Sequence, residues 1–88
     1  MPYKITPIGH TLVMYRTERY LSSKDAWDSL TDWQKEVLVY LDQHYNFDES
    51  KFIPAHDIGA DLKEHPRAIS GIAYSLIKKG LVEKKPGE

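Results

Sequence analysis

Five side chains that can donate hydrogen bonds, Arg67, Ser70, Tyr74, Ser75 and Lys78, face outward once the apolar stripe of "HPRAISGIAYSLIKKG" (65–80) is turned inward. That stripe is Ile69, Ile72, Ala73 and Leu76, spaced for one face of a helix. Guanidinium, ammonium and hydroxyl donors on a helix suit phosphate oxygens and base edges, and an arginine such as Arg67 can take guanine or a phosphate through two parallel bonds. Ala68 and Gly71 lie among these donors and keep the face low, as close approach to a groove requires. Lys84 and Lys85 follow a few residues on, placed to reach flanking phosphates.

Other chemistry finds little footing. His10, His44, His56 and His65 form no i,i+3 or i,i+4 pair and no His-Glu-x-x-His pattern, so no metal site is expected. Asp57 and Asp61 are four apart, which on a solvated helix face reads as surface charge. The chain has no cysteine, no Gly-rich phosphate loop and no nucleophile elbow. No enzyme activity and no cofactor is expected.

The elements that must carry the donors are helical. In "LTDWQKEVLVYLDQHY", Thr31 and Gln34 make a capping-box pair, and Asp32 and Glu36 fall in the early turns, at the positive end of the helix dipole. Trp33, Val37, Leu38, Leu41 and Tyr45 make an apolar stripe, which predicts a helix over 32–45. Pro54 suits the start of a short helix over 55–63, with Ile58 and Leu62 on its buried side. Pro66 opens a helix over 66–79 that Gly80 ends in a left-handed cap, with Leu81 folding back on Leu76. Leu81 to Lys85 then reads as a strand running into the Pro86-Gly87 turn. Earlier, "YKITPIG" (3–9) is extended and broken by Pro7 and Gly9, "HTLVMYRTERYL" suits a helix or a strand, and "SSKDAW" caps a short helix over 24–30.

The 88 residues allow one domain with a modest core. No apolar run approaches the length of a membrane span, and the N-terminal residues lack a secretory pattern. With no cysteine, this fits a cytoplasmic protein. Net charge is −1, but it is unevenly spread. Residues 1–30 carry four Lys/Arg and three Asp/Glu, residues 31–65 three and eight, and residues 66–88 five and two. The positive end points to an anionic partner for one face.

Two short helices across a tight turn, followed by a Gly-capped strand, follow helix-turn-helix logic. Residues 30–85 resemble the winged-helix domain of the MarR (multiple-antibiotic-resistance-repressor) type of transcription regulator. "LTDWQKEVLVYL" is similar to that family's Leu-Thr-x-x-Gln-x-x-Val-Leu-x-x-Leu helix, and "IGADLKEHPRAISGIAYSLIKKGLVEKK" to its next two helices and first wing strand. The resemblance implies a mainly α fold with a small β component, a winged helix-turn-helix over 31–88, and double-stranded DNA as partner. Helix 66–79 would enter the major groove, with Arg67, Ala68, Ser70, Gly71, Tyr74, Ser75 and Lys78 facing it and Lys84 and Lys85 on the wing. The chain departs from the family at Lys63, where such turns often carry glycine, and at Glu64, where an apolar residue is usual; both predict a looser connection. The family sequence after the wing turn, Tyr-x-Leu-Thr-Pro-x-Gly, is matched by "YKITPIG" at residues 3–9. Tyr3–Thr6 is therefore expected beside Leu81–Lys85 as the wing's second strand, within one chain or exchanged between two.

Residues 1–30 form an N-terminal extension with an expected role in a homodimer, through Tyr15, Tyr20, Leu21, Trp27 and Leu30. The rival reading is a winged helix used for protein–protein contact, favoured by the acidic residues Asp42, Asp48, Glu49, Asp57, Asp61 and Glu64. The two readings part on whether acidic side chains intrude on the face carrying Arg67 and Lys78.

Overall fold

Thr31 starts the helix that the rest of the chain is built around. In the computed structural model, which describes residues 2–16, 23–45 and 51–85, its hydroxyl accepts from the Gln34 amide at 3.2 Å and Gln34 Oε1 accepts from the Thr31 amide at 2.8 Å. The box closes both ways, as the sequence predicts, and two N–H groups that the helix cannot satisfy itself are paired. The elements in order are β1 (Pro2–Ile5), α1 (Pro7–Met14), α2 (Ser23–Asp28), α3 (Asp32–Gln43), β2 (Ile53–Pro54), α4 (Ala55–Leu62), α5 (Pro66–Lys78) and β3 (Val82–Lys84). The fold is mainly helical with one small antiparallel sheet.

One core serves all of it. Val37, Leu38 and Leu41 from α3, Ile58 from α4, and Ile69, Ala73 and Leu76 from α5 are essentially inaccessible to solvent, and Ile5 and Val82 join them from the sheet. Each large aliphatic side chain buried this way contributes about 1.5–3 kcal/mol. Ile72 is only half-buried, at the margin of the stripe.

The sheet order is β2-β1-β3, so the N-terminal strand is its centre. Tyr3, Lys4 and Ile5 pair with Lys84, Glu83 and Val82, and the ladder continues through Thr6 N–H to Leu81 O and Lys85 N–H to Pro2 O. The expected pairing of residues 3–6 with 81–85 is present, and within one chain. On its other edge β1 meets β2 through Pro2↔Pro54 and Tyr3↔Ile53, a strand the sequence did not disclose.

Residues 10–14, part of the stretch that suits helix or strand, are helical, and the helix, α1, begins at Pro7, where the sequence predicts a break. Thr6 caps it, its hydroxyl accepting from the Gly9 amide and donating to Gly80 O, and Pro7 takes the first turn. Gly9 lies inside this helix and does not break it; a Cβ there would meet Leu81 O at 2.3 Å, so the position belongs to close packing of α1 on the sheet. His10 ties α1 to the end of α3, its Nδ1 lying 2.5 Å from Asp42 Oδ1 and its ring stacked on Tyr45.

The α4–α5 turn is firmly built despite Lys63 and Glu64. Lys63 itself adopts the left-handed conformation (φ 58°), and Glu64 N–H bonds back to Gly59 O at 2.8 Å. At the far end of α5, Gly80 has φ 77°, with Gly80 N–H to Ile77 O and Leu81 N–H to Leu76 O completing the expected cap.

Candidate nucleic-acid interface

α5 buries Ile69, Ala73 and Leu76 and leaves Arg67, Ala68, Gly71, Tyr74 and Lys78 exposed. Arg67, Gly71, Tyr74 and Lys78 are spaced four, three and four apart, so they run as a single stripe along the helix. Tyr74 is 59% exposed, and Lys78 Nζ lies 4.9 Å from its ring centroid, so the two form one cationic, aromatic unit. Gly71 has open space where its Cβ would be, with nothing within 4 Å. A mid-helix glycine costs about 0.5–1 kcal/mol relative to alanine, and among the described residues no close packing at this position offsets it.

The helix starts on His65, whose Nδ1 accepts from the Arg67 amide at 3.1 Å. Glu64 Oε1 accepts from the His65 amide at 2.9 Å. Glu64 thus places a carboxylate at the root of α5, half-buried and bonded within the turn.

Ser70 is half-buried. Ser75 is also half-buried, and its hydroxyl is already committed. It donates to Ile72 O at 2.6 Å and accepts from Gln34 Nε2 at 2.8 Å, so it braces α5 against the capping box of α3 and does not point outward as expected. Lys84 and Lys85 are exposed on and just past β3, beyond the C-terminal end of α5. Glu83 beside them is paired with Lys4 at 3.2 Å.

Asp57 and Asp61 do not join the α5 stripe. Both line a groove between α3 and α4, where Asp61 Oδ2 accepts from the Tyr40 hydroxyl at 2.5 Å. Burial, then the bond to Asp61 and the charges of Asp61 and Asp57, push the Tyr40 hydroxyl from 10.0 up to about 12.

The residues assigned to a dimer surface scatter. Tyr15 is 40% exposed at the end of α1. Trp27 is half-buried, between the Arg16 guanidinium at 5.6 Å and Lys35 Nζ at 5.7 Å. Leu30 is 5% exposed and spent on the core of its own chain, which removes it from any docking surface. Tyr20 and Leu21 lie outside the described residues. Ile8 and Met14 of α1, 68% and 55% exposed, are apolar surface that the sequence reading does not assign to a docking face.

Among the described residues no helix is long and apolar enough to cross a membrane, and no three His, Asp or Glu side chains are grouped to hold a metal ion. No protein-family model, curated protein or solved structure matches this chain.

Proposed function

We propose that this chain is a winged-helix DNA-binding protein of MarR-like type, a transcription regulator that reads the major groove with α5. The observation that carries the reading is Gly71. It sits at the centre of the exposed stripe, costs helix stability and serves no internal contact, and a DNA groove approaching the backbone accounts for it. Arg67 and Lys78 flank it at the right spacing for phosphates on either side, and Tyr74 and Ser70 are the remaining donors. The β1–β3 ribbon serves as the wing, with Lys84 and Lys85 towards the backbone; that the second strand comes from residues 2–5 supports the likeness carried by "YKITPIG".

Four such cations give a salt slope of about −3.6 per protomer, so affinity falls roughly a hundredfold between about 50 and 200 mM salt. A lone protomer binds weakly on these terms. A two-fold dimer, with Ile8, Met14 and Tyr15 of α1 at its surface, supplies the second α5 for a paired half-site. The test is fluorescence anisotropy on labelled random-sequence duplex across that salt range. Binding that steepens at low salt, with Arg67→Ala and Lys78→Ala each lowering the slope by about one, supports the reading. Absence of binding by the folded protein at low salt overturns it.

A further inference from the structure

We propose that the groove between α3 and α4 is a docking site for a lysine or arginine side chain of a basic partner polypeptide. This inference stands apart from the role given to α5, because no residue of α5 or β3 lines the groove.

The groove holds about 650 Å³, within the range of sites that accept organic groups. Tyr40, His44, Phe52 and Pro54 form its apolar and aromatic surface, and Asp57 and Asp61, one turn apart on the exposed side of α4, supply the charge. This is the chemistry that holds a cation on an apolar stem: carboxylates for the charged head and the Tyr40 and His44 rings for the methylenes, the Phe52 ring already carrying Lys4 Nζ at 4.8 Å.

The carboxylates are short of partners. Among the described residues no lysine or arginine lies within 4 Å of Asp57 or Asp61, in a chain that carries 12 of them. Asp57 has only His56 Nε2 at 3.8 Å, both side chains largely exposed. Asp61 has the Tyr40 hydroxyl, which satisfies a hydrogen bond and leaves the charge standing. Lys51 also lines the groove but is not within ion-pair distance of either carboxylate, so an incoming cation competes with it and does not find the site filled.

A polypeptide fits better than a free amine. The groove continues past the Tyr40–Asp61 bond into a second recess lined by Val39, Gln43 and Leu62, with Glu36 set against Lys35 and Lys63, so apolar residues next to the docked cation have a surface to lie on while a second cation does not.

The test uses a fluorescein-labelled peptide, Gly-Leu-Arg-Leu-Arg-Leu-Gly, titrated with the full chain at low salt and followed by anisotropy. The same peptide with citrulline for arginine, and N-acetylarginine methylamide as competitor, complete the set. Saturable binding is expected, lost with citrulline and weakened about tenfold or more in the Asp57→Asn, Asp61→Asn double variant. The small arginine derivative should compete only at concentrations about a hundredfold higher than unlabelled peptide. On the unsubstituted chain, amide NMR shifts on adding peptide should centre on His44, Ala60 and Asp61, which reads the site without relying on the variant folding. No binding, binding indifferent to the double substitution in a folded variant, or shifts centred elsewhere overturns the proposal. Equal potency of the small derivative overturns the polypeptide partner and leaves a small-cation pocket.

Discussion

Gln34 donates from Nε2 to Ser75 Oγ at 2.8 Å while its Oε1 holds the Thr31 amide, so one side chain both starts α3 and braces α5. Ser75→Ala removes the brace without touching the exposed stripe. Stability is expected to fall by about 1 kcal/mol, and duplex affinity to stay within a factor of two of the parent. Thermal unfolding and anisotropy on the same samples check both halves. Gln34→Ala, which also opens the capping box, should cost about 1–2 kcal/mol.

Gly71→Ala should act in opposite directions on fold and function. With nothing within 4 Å of the new methyl, the helix gains about 0.5–1 kcal/mol. If α5 approaches a groove along this stripe, the methyl holds it off and duplex binding weakens. A higher Tm with unchanged DNA affinity would separate Gly71 from any contact and remove the main support for the groove reading.

Lys63→Gly should stabilise the protein. Lys63 is the one non-glycine residue with positive φ among those described, and the left-handed conformation costs an ordinary residue roughly 1 kcal/mol. Relieving it should raise Tm by about 4–8 °C in a chain of this size, measured by circular dichroism. An unchanged or lower Tm would mean the lysine side chain contributes a contact worth as much as the strain.

Tyr40 gives the fold an alkaline limit. Its hydroxyl ionises at about 12 in the folded chain against 10.0 for an ordinary tyrosine. The folded state therefore holds the proton more tightly. The stability this contributes is present below about 10 and is lost as pH rises through about 12. Tyrosinate absorbance should show a late-titrating component that is absent in Tyr40→Phe. A titration with no late component would mean that the Tyr40 hydroxyl is neither desolvated nor held by Asp61 as this structure has it.

What could be read from residues alone was what local chemistry specifies. Thr31, Gln34 and the Val37–Leu38–Leu41 stripe define α3 within a few turns of chain, and Pro66, Gly80 and the Ile69–Ala73–Leu76 stripe do the same for α5. What could not be read was settled by distant neighbours. Gly9 looked like a breaker because its reason for being glycine, the Leu81 carbonyl, is remote in sequence. β2 is two residues long and exists through its pairing with β1. Ser75 counted as a free donor because Gln34, its partner, is 41 positions away. Asp57 and Asp61 read as solvated charge because the groove opposite them is lined from α3.

The central place of β1 also dictates an order of events. β1 is translated before everything it pairs with, and the Thr6–Gly80 bond at its root joins residues 74 apart. Until β3 leaves the ribosome, Tyr3 and Ile5 have no partner on that side, and closing so long a loop is among the slowest steps open to a small domain. The helices α3, α4 and α5 can collapse on one another early from local contacts. Only the β1–β3 half of the sheet has to wait for residues 82–84, and a chain interrupted before them exposes an unpaired strand edge of the kind that aggregates.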